Sequence, residues 1–190
     1  GWQKIFEYIK NDPSISAVIL GGGDPWVLPD RSLAKLINSL EEISHVDTVR
    51  VHTRLPVVLP DRVTSELCSL LNSSRLNQVV VIHSNHPQEI DETVGNALLR
   101  LKKSGVTVLN QAVLLKDIND SKEVLNALFR RLFFFGVLPY YLHAFEMIQG
   151  AAHFAVSDEK AKELIVDIAR SLPGYLVPKL VREIPGLPYK

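Results

Sequence analysis

Six short apolar runs constrain what this chain can fold into more than any other feature. They occupy residues 17–20, 46–51, 78–82, 106–109, 138–142 and 175–181. Their starts fall roughly 30 residues apart, the length of one strand-plus-helix unit. Between them, apolar residues recur at helical spacing, as in Leu33, Leu36, Ile37 and Leu40, or Val124, Leu128 and Leu132. Runs that are apolar at nearly every position read as strands buried on both faces, which is the signature of a parallel sheet. Repeated strand–helix units with right-handed crossovers give either a barrel or a doubly wound open sheet. Six units without a change of pattern predict an α/β fold, a partial TIM-like (βα) barrel of about six parallel strands with outer helices. The open sheet is the competitor that periodicity leaves standing. We expect one domain over residues 1–190.

In both folds ligands bind at the carboxyl ends of the strands. Those ends hold Gly21–Asp24, His52, Arg54, His83, His86, Asn110, Gln111, His143, Glu146 and Glu183. A polar ring on an apolar scaffold predicts an enzyme. The first run stops in Gly21-Gly22-Gly23-Asp24-Pro25, where three residues without Cβ let a ligand approach the backbone. This turn is neither a G-x-x-x-x-G-K loop nor a G-x-G-x-x-G fingerprint, which disfavours ATP and NAD. Asn110 and Gln111, read as following the fourth strand, place two amides at the rim. Glu146 and Glu183 suit a cationic substrate such as an amine, with an ion pair to Arg182 as the competing reading. His83 and His86 do not form a helical metal pair, because Pro87 follows directly, and no metal ligand is assigned. His86 is read as capping its loop. Lys190 could form a Schiff base with a carbonyl cofactor, although from the residues alone a solvated terminal lysine is the better reading.

The bulk numbers exclude several classes. Lys plus Arg is 21 and Asp plus Glu is 21, so no basic surface for nucleic acid is expected. No stretch approaches the roughly 20 apolar residues of a membrane span. The single cysteine, Cys68, rules out a disulfide framework and points to a cytoplasmic protein. A helix that starts at residue 2 without a capping residue, and a bare loop over 184–190, predict a piece of a longer protein.

Several motifs jointly resemble the lysine 2,3-aminomutase family. They are Val18-Ile-Leu-Gly-Gly-Gly-Asp-Pro25, Val49-Arg-Val-His-Thr-Arg-Leu-Pro-Val-Val-Leu-Pro60, His83-Ser-Asn-His-Pro-Gln-Glu-Ile90, Leu109-Asn-Gln-Ala-Val-Leu-Leu115, Asp117-Ile-Asn-Asp120, Leu138-Pro-Tyr-Tyr-Leu-His143 and Gln149-Gly-Ala-Ala-His-Phe154. The wording of residues 149–158 and 174–184 is most similar to the branch that makes (R)-β-lysine for elongation factor P, to which a partner ligase attaches it. The resemblance implies an isomerase of the radical S-adenosylmethionine type, with a [4Fe-4S] cluster and pyridoxal 5′-phosphate, acting on L-lysine. Carried over by position, Gly22, Gly23 and Asp24 sit in the motif for the methionine end of S-adenosylmethionine, and His83 and Gln111 contact the same cofactor. Glu146 and Glu183 hold the substrate ammonium, where the free-lysine mutases have aspartates. Lys190 is the lysine that carries pyridoxal phosphate. The family's C-x-x-x-C-x-x-C cluster motif is not in the chain, nor are its arginines for phosphate and carboxylate. The chain as given is expected not to support turnover.

Overall fold

The computed structural model describes residues 2–146 and 149–183. Six strands alternate with helices along it. The strands are β1 Ala17–Leu20, β2 Thr48–Thr53, β3 Asn77–His83, β4 Thr107–Val113, β5 Leu138–His143 and β6 Lys179–Val181. The helices are α1 Trp2–Asn11, α2 Asp30–Glu41, α3 Leu55–Val58, α4 Ser65–Ser73, α5 Glu92–Lys103, α6 Lys122–Phe134 and α7 Asp158–Ser171. The chain divides into two compact units, residues 1–82 with 97–108, and residues 83–96 with 109–190.

In the first unit β1 pairs with β2, and β2 with β3, always parallel and in chain order. Ile19 lies opposite Arg50, and Val51 opposite Val80. Along β2 the buried Val49, Val51 and Thr53 alternate with half-buried Thr48, Arg50 and His52, the period of two that a strand imposes. The core gathers these residues with the apolar stripes of α2 (Leu33, Leu36, Ile37, Leu40) and α4 (Leu67, Leu71). Arg75 closes the end of α2, donating to the carbonyls of Glu41, Ile43 and Val46 and so satisfying acceptors that a helix terminus leaves open.

In the second unit β4 pairs with β5 and β5 with β6, again parallel. A register shift at Asn110/Gln111 sets Gln111 opposite Tyr141. Leu125, Leu128, Phe129 and Leu132 of α6 and Ala161, Leu164 and Ile168 of α7 are buried. Ser121 and Ser157 cap these helices, their hydroxyls accepting from Val124 and Lys160 N–H.

The helical runs and the six strands match the sequence reading, with informative differences at the ends. Asp30, at a position where a sequence reading would place an N-cap, is the first helical residue of α2 and Pro29 precedes it. Pro60-Asp61, which reads as a helix start, opens a single 3₁₀ turn, and α4 starts after Thr64, whose hydroxyl accepts from Leu67 N–H. The sixth strand covers three residues because Pro173-Gly174 starts a 3₁₀ turn through Leu176. The fourth strand is longer than its apolar run and continues to Val113, so Asn110 and Gln111 lie within it rather than after it. A strand ends where its ladder ends, and here two amides are built into the ladder.

Candidate functional site

The first unit contributes the glycine turn. β1 stops at Leu20, and Gly21, Gly22 and Gly23 are exposed. Gly22 has φ +101°, which a side chain would strain. Gly21 and Gly23 have no such φ, and an alanine methyl at either would meet nothing within 4 Å. Nothing among the described residues therefore requires glycine at these two positions. A cleft of 240 Å³ opens beside the turn, lined in part by Ile19, Gly21, Gly23 and Asp24. Whole small-molecule pockets start at about 300 Å³, so this cleft suits one end of a ligand.

The turn is anchored from below. Asp24 accepts from Trp26 N–H at 3.0 Å and Arg54 N–H at 2.6 Å. It also accepts from the Thr53 hydroxyl, which lies 2.7 and 2.9 Å from its two oxygens. Trp26 is 1% exposed, and its carbonyl accepts from Arg62 Nε at 2.8 Å. Arg62 also bonds the Leu28 carbonyl and Asp30. A flexible sequence is thus held at a fixed place at the end of β1.

In the second unit an asparagine lattice fixes the loop after β3. Ser84 N–H donates to Asn110 Oδ1 at 2.9 Å, and Asn110 Nδ2 donates back to the Ser84 carbonyl at 3.1 Å. Asn110 is 1% exposed and so serves the interior rather than the rim. Val113 N–H donates to Asn85 Oδ1 at 2.8 Å. Asn119, fully buried, accepts from Leu115 N–H and donates to the carbonyls of Asn85 and Val113. Glu89 accepts from the N–H groups of Asn85 and His86, and His86 Nδ1 accepts from Gln88 N–H, so His86 caps its loop.

His83 and Gln111 each lie one residue from the Ser84–Asn110 pair. Strand alternation puts the Gln111 side chain on the face of β4 opposite that of Asn110. The Gln111 carbonyl oxygen is buried and has no hydrogen-bond partner among the described residues, a costly arrangement unless a ligand donor reaches it. Tyr140 stacks on Tyr141 at 3.8 Å, and Tyr141 meets His143 edge-on at 5.7 Å. Ala144 N–H bonds the Val181 carbonyl at 2.8 Å, and Glu146 and Glu183 each lie two residues beyond that bond, both exposed. The two acids therefore leave the same end of neighbouring strands. Arg182 is ion-paired with Asp158. Lys190 lies outside the described residues.

Among the described residues no group of three or more His, Cys, Asp or Glu comes together to hold a metal. These residues therefore do not fit an iron–sulfur cluster. Thr53, Asn85 and Asn119 went unnoticed in the sequence. All three sit inside quoted motifs, yet isolated hydroxyl and amide residues give no periodic signal, and their roles depend on partners distant in sequence.

Comparison with known proteins gives this geometry a context. A protein named L-lysine 2,3-aminomutase from Escherichia coli (strain K12) is 45% identical over 189 residues, covering 100% of this chain and 55% of that protein. Its namesake in Haemophilus influenzae is 48% identical over 189 residues, 100% of this chain and 56% of that protein. The one in Clostridium subterminale is 38% identical over 184 residues, 97% and 44% respectively. The chain spans about half the length of these curated relatives. No protein-family model matches it. Among solved structures, Streptococcus suis SuiB bound to S-adenosylmethionine superposes with a TM-score of 0.67 at 13% identity, covering 96% of this chain and 42% of that one. A radical SAM methyltransferase from Sphaerobacter thermophilus gives 0.62 at 19% identity, covering 88% and 51%. Those two likenesses are of fold. Along its whole length, this chain is a sequence relative of the L-lysine 2,3-aminomutases, with the α/β partial-barrel fold of radical S-adenosylmethionine enzymes.

Proposed function

We propose that the complete protein is an L-lysine 2,3-aminomutase that makes (R)-β-lysine in the cytoplasm for attachment to elongation factor P. The observation that carries the reading is identity of 45% and 48%, over all of this chain, to two proteins of that name. Two features of the site support S-adenosylmethionine as a ligand. Gly21 and Gly23 leave open the space that a methyl would fill. Gln111 carries a buried acceptor that a ligand donor would satisfy.

In this reading Gly22, Gly23 and Asp24 bind the methionine end of S-adenosylmethionine, and His83 and Gln111 contact the same cofactor. S-adenosylmethionine with a [4Fe-4S] cluster supplies the radical, and pyridoxal phosphate supplies the carbonyl that makes the amino group mobile. The cluster is to be held by residues outside those described, and Lys190 is to carry pyridoxal phosphate. Glu146 and Glu183 bind the side-chain ammonium of lysine. Two carboxylates at one end of adjacent strands favour a cation and reject an acidic substrate by like-charge repulsion. They also fix the amine at one distance from the reacting carbons, which selects side-chain length. The stem of the aliphatic substrate needs cover from water, and the Tyr140–Tyr141 stack on β5, the strand that leads towards Glu146, is a candidate for that cover.

The test is conversion of L-lysine by the full-length protein, purified without oxygen and supplied with both cofactors, with product resolved by chiral chromatography. (R)-β-lysine, and its appearance on elongation factor P when the ligase is added, is the expected result. Turnover without transfer would leave a mutase of free lysine. Absence of turnover in a preparation shown to hold iron, sulfide and pyridoxal phosphate would refute the assignment.

A further inference from the structure

The four residues Gly21–Asp24 enter the proposed site as one motif, but their surroundings separate them. The glycines face open space, with nothing within 4 Å of an added methyl. The Asp24 carboxylate is turned to the protein. Two backbone N–H groups and one hydroxyl converge on it, at 3.0 Å from Trp26, 2.6 Å from Arg54 and 2.7 and 2.9 Å from Thr53. Thr53 is itself 2% exposed, and its oxygen accepts from Leu55 N–H at 3.1 Å, which aims the hydroxyl proton at Asp24. A carboxylate with both oxygens engaged by fixed donors gives up its rotational freedom.

We propose that Asp24 is a positioning residue rather than a cofactor ligand, and that Thr53 is the other half of the clamp. Together they tie the glycine turn, at the end of β1, to the end of β2. Three successive glycines lose more backbone freedom on ordering than any other tripeptide. If the turn were loose, a ligand would have to order it, and binding would weaken accordingly. The clamp orders it in advance, so the backbone of Gly21–Gly23 meets the polar end of the cofactor already shaped. This inference rests on S-adenosylmethionine being the ligand of that turn.

The experiment is titration of the full-length, cluster-loaded protein with S-adenosylmethionine, for the native protein and for Thr53→Val, Thr53→Ser, Asp24→Asn and Asp24→Asn/Thr53→Val. Loss of preorganisation is expected to weaken binding about tenfold in Thr53→Val. Thr53→Ser, which keeps the hydroxyl, should restore it. The double variant should be no weaker than Asp24→Asn, because the two side chains act as one unit. Thr53→Val with native affinity beside a weakened Asp24→Asn would overturn the clamp and make Asp24 a direct ligand. If the native protein binds no S-adenosylmethionine, the cofactor reading fails by itself. Amide exchange at Trp26 and Arg54 then decides the clamp: faster exchange in Thr53→Val upholds it, and unchanged exchange overturns it.

Discussion

Asn119 offers the sharpest test of how the loop that follows His83 is held. Its side chain is fully buried and makes three hydrogen bonds, from Leu115 N–H at 2.7 Å and to the carbonyls of Asn85 and Val113 at 2.8 and 2.9 Å. One amide thus satisfies three backbone groups. Each bond is worth about 1 kcal/mol net, so Asn119→Ala should cost about 3 kcal/mol. For a chain of this size that lowers the melting midpoint by roughly 6–12 °C. Alanine leaves room for a water to take over some bonds, whereas leucine fills the space and leaves all three groups dry. Asn119→Leu should therefore be the more destabilising of the two, the reverse of what packing volume alone predicts. The control is Asn126→Ala, which removes one bond to Ser171 at 3.0 Å and should cost about 1 kcal/mol or less. Urea denaturation followed by circular dichroism measures all three. A leucine variant as stable as the native protein, or an Asn119→Ala cost no larger than that of Asn126→Ala, would refute the lattice as the source of the loop's order.

Four further outcomes follow from the structure. In Gly95→Ala the new methyl would lie 2.3 Å from the ring of Phe135, which is 1% exposed; the forced repacking should cost about 1–3 kcal/mol by the same denaturation assay. Gly22→Ala should destabilise by about 1 kcal/mol or more because of its φ of +101°. Gly21→Ala and Gly23→Ala should leave stability within about 0.5 kcal/mol of native while weakening S-adenosylmethionine in calorimetric titration; unaffected binding would show that nothing occupies that space. Burial pushes the Asp120 carboxyl up, but hydrogen bonds from Lys160 and Asp117 N–H, with the Lys160 charge, outweigh it and hold it below its ordinary 3.8. A depressed folded value stabilises the ionised protein, so Asp120→Asn should be less stable than native at neutral pH. The difference should close as pH falls from the ordinary value through the folded one, and a gap that is constant with pH would refute the pairing.

The alternation of strand and helix was legible because it is written in periodicity, which depends on neighbours in sequence. The apolar stripes of α2 and α7 and the cap Ser157 needed no tertiary knowledge, whereas Asp120-Ser-Lys-Glu123 reads as a capping box headed by Asp120 and the cap of α6 is Ser121. What sequence could not show was the use of polar residues inside the ladder. Asn110 follows an apolar run and so reads as a rim residue, yet it is paired with Ser84 across 26 positions. Thr53 and Asp24 are 29 apart, and Asn119 and Asn85 34 apart. No local pattern distinguishes such a residue from a ligand-facing one, because both choices place a polar group at a strand end. The distinction lies in which way the side chain turns, and in a strand one residue changes that completely. Asn110 and Gln111 are the case in point. They are adjacent and both carboxamides, yet one is saturated by backbone while the other keeps a buried oxygen without a partner among the described residues. Of the polar ring read from the sequence, Asp24 and Asn110 are turned to the protein and bonded to backbone groups, whereas the Gln111 oxygen is left without a partner among the described residues. A site residue in this fold is therefore better recognised by hydrogen-bonding capacity left over after folding than by its position at a strand end.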